Sequence, residues 1–324
     1  MKVLIIGGAG MIGRKLAERL ARDGELGGKA ISSLVLHDVV EATVPAGAKV
    51  PVKIVTGDLP AAGEAERLVA DRPDVIFHLA AIVSGEAEQD FDKGYRINMD
   101  GTRAVLEAVR RTGHKPRLVF ASSIAVFGAP FPEAIGDEFL STPLTSYGAQ
   151  KAISELLVSD YTRKGFLDGV SLRLPTICVR PGKPNKAASG FFSNIIREPL
   201  AGHEAVLPVA DSVMHWHASP RAAVEFMRHA ASLDSAGLGP RRALTMPGLD
   251  VTVAEQIAAL RRVAGDKVVA RIRREPDPFI EEIVAGWPRR FAANRALDLG
   301  FRPDAGFEEI VRIHIEDELG GHIG

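Results

Sequence analysis

A short apolar segment that runs into closely spaced glycines limits the possible folds of this chain more than any other feature. Lys2–Ile6 is followed by Gly7, Gly10 and Gly13, and a helix-like pattern then continues over Met11–Arg22. This order indicates a strand, a tight turn and a helix, in which glycines let the backbone approach a diphosphate. Free N–H groups at the start of the helix also favour a phosphate there. The sequence therefore predicts a dinucleotide site, and the alternative is a glycine-rich turn without a ligand.

The second predicted strand ends in an acidic residue that bears on the choice of nucleotide. Asp38 lies at the carboxyl end of Leu34–His37, where a carboxylate can accept hydrogen bonds from the adenosine ribose hydroxyls. It would also repel a 2′-phosphate, and the following residues, Val39, Val40 and Glu41, supply no cation. These features favour NAD over NADP. The alternative is that Asp38 caps the turn after the strand.

Composition and charge exclude several other classes of protein. The chain has 324 residues with 40 basic and 41 acidic side chains, so its net charge of −1 gives no reason to expect binding to nucleic acid or to an anionic membrane. The one cysteine, Cys178, excludes an internal disulfide and a zinc site built from cysteines. No segment has the pattern of a signal peptide or a membrane span. We therefore expect a cytoplasmic protein.

Strand-like and helix-like segments alternate through the first half of the chain, which predicts a parallel sheet with helices on both faces. The predicted strands are Val3–Ile6, Leu34–His37, Val52–Thr56, Val75–Leu79, Arg117–Ala121 and Val170–Leu174. The predicted helices are Met11–Arg22, Glu64–Ala70, Phe91–Thr112 and Tyr147–Lys164. This pattern predicts an α/β fold with a Rossmann-type doubly wound parallel sheet.

Beyond Pro175 the pattern is less regular and indicates a smaller carboxyl-terminal α/β region that binds the substrate. Short strands are predicted at Gly202–Ala210 and Arg241–Leu249, and a helix is predicted at Val253–Ala264. We assign NAD binding to residues 1–175, with a return of the chain at 211–235, and mainly substrate binding to residues 176–324.

Tyr147 and Lys151 lie four residues apart in a predicted helix and therefore share one of its faces. A phenol beside an ammonium can transfer a proton, because the cation favours the phenolate form. Ser123 ends an earlier strand and can hydrogen-bond a substrate oxygen. Together these residues predict a proton-transfer site. The alternatives are an ordinary helix surface for Tyr147 and Lys151 and a turn-forming role for Ser123.

These motifs together resemble the extended short-chain dehydrogenase/reductase superfamily, which includes the sugar-nucleotide epimerases and dehydratases. The resemblance spans nearly the whole chain and includes His78–Ala81, Asn98–Arg103 and Ala296–Pro303. It implies that Tyr147 is the acid/base, that Lys151 binds the nicotinamide ribose, and that Ser123 orients the reacting oxygen. The implied NAD contacts are Gly7, Gly10, Met11, Ile12, Gly13, Asp38, Asp58, Leu59, Leu79, Ala80, Ala81, Asn98, Tyr147, Lys151 and Pro175.

Departures from the superfamily pattern narrow the predicted chemistry. Dehydratases carry an acidic pair directly after the serine, whereas Ile124 and Ala125 follow Ser123 here, which argues against elimination of water. Thr176 lies where epimerases usually carry an asparagine, which weakens the case for a nucleotide-sugar substrate.

Within the superfamily, four segments resemble the D-erythronate dehydrogenases: Leu79–Glu88, Arg173–Ile177, Arg180–Phe192 and His215–His217. This resemblance implies NAD-dependent oxidation of the C2 hydroxyl of a small sugar acid, which converts D-erythronate to 2-dehydro-D-erythronate. An NAD-retaining nucleotide-sugar epimerase and a dinucleotide sensor without catalysis are the alternatives. Paired helices often join members of the superfamily, so a homodimer is a further expectation.

A sugar acid requires a group that binds its carboxylate. Arg173 is the first candidate, because a guanidinium offers two parallel donors to a carboxylate. Its alternative role is a structural ion pair near the end of the sheet. Ser84, Asn185 and Lys186 are further candidates. The predicted substrate-binding set is Ser84, Ser123, Tyr147, Arg173 and Asn185.

Three more residues with ligating or reactive side chains are interpreted as packing residues. His215 and His217 flank a tryptophan, but the sequence offers no third metal ligand, so we interpret them as pocket lining and expect no metal. Cys178 is interpreted as a buried packing residue.

Overall fold

The computed structural model describes residues 1–182 and 189–324, and the chain forms two compact units. The first unit comprises Met1–Val126, Pro143–Leu174 and Val224–Thr245, and the second comprises Phe127–Thr142, Pro175–Ala223 and Met246–Gly324. The assignment of NAD binding to residues 1–175 and of substrate binding to residues 176–324 stays a prediction.

Seven strands form the main sheet of the first unit. In chain order they are β1 (Lys2–Ile6), β2 (Ser33–Asp38), β3 (Val52–Thr56), β4 (Val75–His78), β5 (Arg117–Ser123), β6 (Asp168–Leu174) and β7 (Ala243–Thr245). Their spatial order is β3-β2-β1-β4-β5-β6-β7, and each neighbouring pair is parallel. The predicted doubly wound parallel sheet is therefore confirmed.

The strand order changes direction at β1, which lies between β2 and β4. Leu4 pairs with Val35 of β2 on one side and with Ile76 of β4 on the other. Connections that leave β1 and β4 in opposite directions open a crevice beyond the carboxyl ends of these strands, where ligands of such folds bind. The glycine-rich turn after Ile6 lies at this edge of the sheet.

The core of the first unit packs apolar strand residues against helices. Leu4, Ile76 and Phe120 from the sheet are buried in one cluster with Leu106 and Val109 of the helix Gly101–Thr112. Complete burial of side chains of this size contributes roughly 1.5–3 kcal/mol each.

The other helices of this unit are Met11–Asp23, Glu64–Val69, Ser84–Gln89, Phe91–Gly94 and Ser146–Arg163. Short 3-10 segments lie at Ile124–Val126 and Ser235–Leu238, and the helix Pro220–Ser232 contributes residues to both units. A two-stranded ladder joins Glu25–Leu26 to Lys29–Ala30.

The single helix predicted at Phe91–Thr112 is wrong in detail. The chain forms an α-helix at Phe91–Gly94, a π-helical turn at Tyr95–Asp100 and a second α-helix at Gly101–Thr112. The wide turn coincides with Asn98, whose buried amide is hydrogen-bonded to residues outside the helix. These side-chain contacts are tertiary, so helical periodicity alone could not indicate them.

The second unit combines short strands with helices. Its strands are Ile135–Gly136, Thr176–Ile177, Ala205–Leu207, Met214–Ala218, Leu249–Thr252, Ile272–Arg274 and Phe291–Ala292, and its helices are Gly190–Leu200, Val253–Ala264, Asp266–Val269, Pro278–Ala285, Asn294–Asp298 and Phe307–Leu319. The strand Met214–Ala218 pairs with Thr176–Ile177 on one side and with Leu249–Thr252 on the other. Phe192, Ile195, Leu260, Ile310 and Val311 are buried in its core.

The strand predicted at Arg241–Leu249 is also wrong, because the chain divides it between two sheets. Ala243–Thr245 forms β7, and Leu249–Thr252 joins the three-stranded sheet of the second unit. Gly248 breaks the strand where it passes Trp216, since a Cβ at Gly248 would lie 2.9 Å from the indole Nε1.

Candidate active site

The glycine-rich turn is shaped by its backbone contacts. Gly7 has φ +94°, and the N–H groups of Gly7 and Gly8 both donate to the carbonyl of His37 at 2.8 Å. A Cβ at Gly7 would lie 2.6 Å from the backbone nitrogen of Ala80, so only glycine fits there. Gly13 packs equally closely on the Gly7 carbonyl. The turn therefore has the open, backbone-lined form that a diphosphate needs.

The helix Met11–Asp23 follows directly from this turn. Gly10 is its N-cap residue, and no side chain caps the first N–H groups. Uncapped N–H groups and the helix dipole both favour an anion at this end. The residues at the turn therefore fit the diphosphate of a dinucleotide, as the sequence predicted for Gly10, Met11, Ile12 and Gly13, although their individual contacts stay predictions.

Asp38 is fixed beside the turn. Its Oδ2 accepts from the N–H of Ala9 at 3.0 Å, and its Oδ1 accepts from that of Val39 at 2.7 Å. The carboxylate therefore does cap the turn after β2, where Oδ1 also accepts from the N–H of Val40 at 3.4 Å, but Oδ2 has a second lone pair available for a ribose hydroxyl. Val39 and Val40 are exposed and apolar. The immediate surroundings of Asp38 thus fit a ribose diol better than a 2′-phosphate.

Lys151 is held in a buried position one turn after Tyr147. The helix Ser146–Arg163 begins at Thr145, whose side chain accepts from the N–H of Gly148. Lys151 is only 2% exposed; its Nζ donates to the Ala121 carbonyl at 2.8 Å and lies 5.7 Å from the centre of the Tyr147 ring. Burial lowers the pKa of Lys151 to about 8, and the nearby Glu155 carboxylate opposes this change. The Lys151 ammonium therefore lies near the Tyr147 ring, and proton transfer by this pair stays a prediction.

The two serines at the end of β5 have different surroundings. Ser122 is buried, and its Oγ donates to Oε1 of Glu155 at 2.5 Å. Ser123 is half-buried, and its Oγ accepts from the N–H of Ala125 at 3.1 Å. Because Ser122 is committed to Glu155, Ser123 is the better candidate for a contact with substrate.

The loop after β4 is held by β1 and by the π-helical turn. The N–H groups of Leu79 and Ala80 donate to the Ile6 carbonyl at 2.8 and 3.0 Å. Asn98 accepts from the N–H of Ile82 at 2.9 Å and donates to Oε1 of Gln150 at 2.7 Å. These bonds give Asn98 a supporting position behind the loop, so a direct contact with NAD stays a prediction, as do those of Leu79, Ala80 and Ala81.

Asp58 and Leu59 follow β3, as expected, but the Asp58 carboxylate is already engaged. Its Oδ2 accepts from Nη1 of Arg96 at 2.7 Å, and both side chains are partly exposed. Leu59 is buried in the core of the first unit. The predicted contact between Asp58 and NAD therefore competes with an ion pair that no local sequence pattern indicates.

Arg173 forms the structural ion pair that was its alternative role. Its Nη2 donates to Oε2 of Glu155 at 2.7 Å and its Nε to Oε1 at 3.0 Å, with only 13% and 5% of the two side chains exposed. A guanidinium paired in this way is a poor carboxylate clamp for a substrate. This ion pair with a buried carboxylate one turn beyond Lys151 argues against Arg173 as the first clamp candidate, and its contact with substrate stays a prediction.

The other predicted ligand contacts have simpler positions. Ser84 is exposed at the first position of the helix Ser84–Gln89, and Pro175 is buried directly after β6. Asn185 and Lys186 lie outside the described residues.

Two buried networks were not anticipated from the sequence. Glu155, which binds Ser122 and Arg173, lies four residues after Lys151, and this helical spacing is a signal that would have identified it. Glu64 lies 3.0 Å from Nε2 of His37, the residue whose carbonyl holds the glycine-rich turn. His37 and Glu64 are 27 residues apart, and no local pattern connects them.

Two histidines and the cysteine of the second unit are buried. Nε2 of His215 lies 2.7 Å from the hydroxyl of Thr176, and its Nδ1 lies 3.0 Å from the Pro288 carbonyl. Burial lowers the pKa of His215 to about 4 and that of His217 well below its ordinary range. Burial also raises the pKa of the Cys178 thiol to about 12, which keeps it in the unreactive thiol form.

Across residues 1–182 and 189–324, no group of three or more His, Cys, Asp or Glu side chains is arranged to hold a metal ion. In the same described part of the chain, no helix combines the length and apolarity needed to cross a membrane.

Comparisons with known proteins agree with this geometry. Residues 3–226 match the NAD dependent epimerase/dehydratase family. D-erythronate dehydrogenase of Cupriavidus necator is 50% identical over 321 residues, which cover 98% of this chain and 98% of that protein. D-erythronate dehydrogenase of Haemophilus influenzae is 43% identical over 319 residues, which cover 98% and 100%.

The chain is also similar to a solved structure described as the nucleoside-diphosphate-sugar epimerase from Agrobacterium tumefaciens. The two share 62% sequence identity with a TM-score of 0.97, over 100% of this chain and 96% of that one. The resemblance to the extended short-chain dehydrogenases/reductases is thereby confirmed, and the chain belongs to the NAD-dependent epimerase/dehydratase family.

Proposed function

We propose that this protein oxidises the C2 hydroxyl of a small sugar acid with NAD⁺, converting D-erythronate to 2-dehydro-D-erythronate. The observation that carries the proposal is the buried Lys151 ammonium 5.7 Å from the Tyr147 ring. The identity of the substrate is inferred from the two D-erythronate dehydrogenases, which are 50% and 43% identical to this chain along nearly its whole length.

The residues of the first unit suit NAD. Gly7, Gly10 and Gly13 would hold its diphosphate, and Asp38 would accept from the adenosine ribose hydroxyls. Lys151 would donate to the nicotinamide ribose. When bound, NAD⁺ accepts a hydride from the carbon that is oxidised. A preference for NAD over NADP follows from the carboxylate of Asp38 and the apolar Val39 and Val40 beside it.

Ser123 and Tyr147 would hold the secondary hydroxyl of the substrate. The Tyr147 phenolate takes the hydroxyl proton while the carbinol C–H bond breaks, and the Ser123 hydroxyl donates to the oxygen that becomes a carbonyl. Lys151 supports the phenolate by its positive charge. With a pKa of about 8, Lys151 is mostly charged at pH 7 and loses its charge in mildly alkaline solution.

The ion pair between Arg173 and Glu155 argues against Arg173 as the main clamp for the substrate carboxylate. Ser84 and Asn185 remain the proposed contacts, together with Lys186. A homodimer and a cytoplasmic location also stay predictions.

An NAD-retaining nucleotide-sugar epimerase is the second candidate function. It is favoured by the 62% identity to the Agrobacterium tumefaciens protein, which is described as such an enzyme. Against it, Thr176 replaces the asparagine of the epimerases and bonds His215. A dinucleotide sensor is weaker still, because Tyr147, Lys151 and Ser123 are all retained.

The test mixes the purified protein with NAD⁺ and D-erythronate and follows NADH absorbance, with NADP⁺, other three- to six-carbon aldonic acids and UDP-glucose in parallel. We expect NADH to accumulate with D-erythronate and with NAD⁺ in preference to NADP⁺. Interconversion of UDP-sugars without NADH would favour the epimerase instead. Nucleotide binding with no turnover on any compound would favour the sensor.

A further inference from the structure

Glu155 is a buried acid that the proposed catalytic steps do not use. It lies one helical turn beyond Lys151, and its side chain is only 5% exposed. Three donors converge on its two oxygens: Ser122 Oγ at 2.5 Å, and Arg173 Nε and Nη2 at 3.0 and 2.7 Å. A buried carboxylate with this many partners is held in one place.

The same acid connects the end of β5 to the helix Ser146–Arg163. Three successive residues of β5 take part: the Ala121 carbonyl binds Lys151 at 2.8 Å, Ser122 binds Glu155, and Ser123 is the proposed substrate contact. Lys151 and Glu155 therefore fasten the strand end at two adjacent residues just before Ser123. A change at Glu155 alters both the position of this strand end and the charge around Lys151.

Resting on the dehydrogenase function proposed above, we propose that Glu155 is a positioning residue that keeps Lys151 positively charged and holds the strand end that carries Ser123. It touches neither substrate nor nucleotide in this scheme. It acts through Lys151, whose charge supports the Tyr147 phenolate.

The charges around Lys151 set the direction of the expected effect. Glu155 opposes the loss of charge that burial imposes on Lys151. On β4, His78 is neutral, since burial and the Lys151 charge lower its pKa to about 3. On β6, Arg173 is neutralised by Glu155. Loss of the Glu155 carboxylate would remove an attraction and also the negative charge that balances the Arg173 guanidinium, and both changes disfavour the Lys151 ammonium.

A purely structural ion pair makes a different prediction. If Glu155 only joins the helix to β6, its loss lowers the thermal stability but leaves the ionisation of Tyr147 where it was. The pH at which Tyr147 ionises therefore separates the two roles, and this quantity can be measured without any substrate.

The experiment titrates the tyrosinate absorbance of the NAD⁺-bound protein and subtracts the titration of Tyr147→Phe, which isolates one of the three tyrosines. In Glu155→Gln we expect the Tyr147 midpoint to rise by about one pH unit, because Lys151 is one helical turn from Tyr147 and its lost charge outweighs the direct effect of the Glu155 charge two turns away. The acid limb of the pH profile of kcat for D-erythronate oxidation should move to higher pH by the same amount. At pH 7 this gives a roughly 10-fold loss of kcat, while KM for NAD⁺ changes less than about 3-fold.

Two variants serve as controls. Asp160→Asn removes a negative charge from the exposed side of the same helix, where Asp160 pairs with Arg163, and should leave the midpoint unchanged. Glu155→Asp keeps the charge and should restore the midpoint to near that of the wild-type protein.

If Glu155→Gln does not fold, the double variant Glu155→Gln/Arg173→Gln decides the question, because it removes both charges of the buried ion pair together. We expect its Tyr147 midpoint to rise by about half a unit, since Lys151 has lost the attraction of Glu155 but gains no net repulsion from Arg173. A midpoint within about 0.2 units of wild type in the folded variant would overturn the proposal. Failure of the wild-type protein to oxidise D-erythronate would instead refute the proposed function and leave this titration as a separate result.

Discussion

Two regions of the molecule are built from different kinds of interaction. One is the nucleotide edge of the first unit, which is the glycine-rich turn Gly7–Gly13 with Asp38. The other is the histidine cluster of the second unit, which is His215 and His217. At the edge, backbone groups hold the glycine turn, as in the bonds from Gly7 and Gly8 to the carbonyl of His37 at the end of the neighbouring strand. In the cluster, a side chain makes the bonds: the His215 ring is held by the Thr176 hydroxyl and the Pro288 carbonyl, which are 39 and 73 residues away. The first arrangement depends on glycine at fixed spacings. The second depends on the identity of particular side chains.

This difference determines which substitutions each region tolerates. A backbone cradle accepts many side-chain changes but no Cβ at its tight positions. A buried cluster of polar side chains does not depend on glycine at fixed positions. Its stability instead changes with pH and with the loss of any hydrogen-bond partner. The following predictions test this contrast, starting with the largest effect.

Gly7→Val should distort the glycine-rich turn and greatly weaken the binding of NAD⁺. At φ +94° a β-branched residue is strained, and its Cβ would collide with Ala80 at 2.6 Å. Strain of this kind costs about 1–3 kcal/mol before the clash is counted, so we expect NAD⁺ affinity to fall by at least about 100-fold in calorimetric titrations.

Gly47→Val is the matched control, because Gly47 also has positive φ (+66°) but no atom within 4 Å of its Cβ position. It should lose stability without losing NAD⁺ affinity. Equal losses of affinity in the two variants would show that the cradle is not specifically backbone-built.

Mild acid should destabilise the second unit. The pKa of His215 is lowered from 6.5 to about 4, so between these pH values the unfolded chain binds a proton that the folded chain does not. Stability therefore falls as pH falls through this window, by up to about 3 kcal/mol for one histidine. Trp216 and Trp287 both belong to this unit, so urea unfolding followed by tryptophan fluorescence reports on it.

His215→Gln should reduce this pH dependence without removing it, because the buried His217 still contributes, and His203→Gln, at an exposed histidine, should leave it intact. A wild-type midpoint in urea that is the same at pH 7.5 and pH 5 would contradict the assignment of buried neutral histidines.

Asp38→Ala should weaken nucleotide discrimination. The variant loses an acceptor for the ribose hydroxyls and a charge that repels a 2′-phosphate, so kcat/KM for NAD⁺ should fall about 10-fold while that for NADP⁺ rises or stays constant. The ratio of the two values, measured at fixed D-erythronate, gives the answer. An unchanged ratio would mean that Asp38 acts only as the cap of Val39.

Thr252→Ala should produce the smallest change. Thr252 caps the helix Val253–Ala264 of the second unit in a capping box with Glu255, and the two residues are close together in the sequence. Loss of such a cap costs about 1 kcal/mol, which thermal unfolding should register as a decrease of a few degrees. Activity should not change, and a loss of activity would mean that local contacts in this unit also shape the site.

The sequence predicted the parts of the molecule that depend on short spacings. The glycine turn, the strands β1 to β6, the acid at Asp38 and the Tyr147–Lys151 pair all follow from residues within a few positions of one another. The parallel sheet then followed from the alternation of elements, although its seventh strand, β7, was not predicted as part of it.

Features that depend on distant partners could not be predicted in the same way. Asn98 lies in the π-helical turn and binds Ile82 and Gln150, and Arg173 forms an ion pair with Glu155. Both residues have side chains that fit several roles, and only the fold decides between them.

The central claim is that Tyr147 removes the C2 hydroxyl proton while hydride leaves the same carbon for NAD⁺. Oxidation of D-erythronate deuterated at C2 tests it most directly, with mass spectrometry of the nucleotide and the product. The account predicts deuterated NADH in equal amount to 2-dehydro-D-erythronate, a slower rate than with the unlabelled acid, and at least a roughly 1,000-fold loss of kcat in Tyr147→Phe with NAD⁺ affinity retained. Unlabelled NADH, or full activity in Tyr147→Phe, would contradict it.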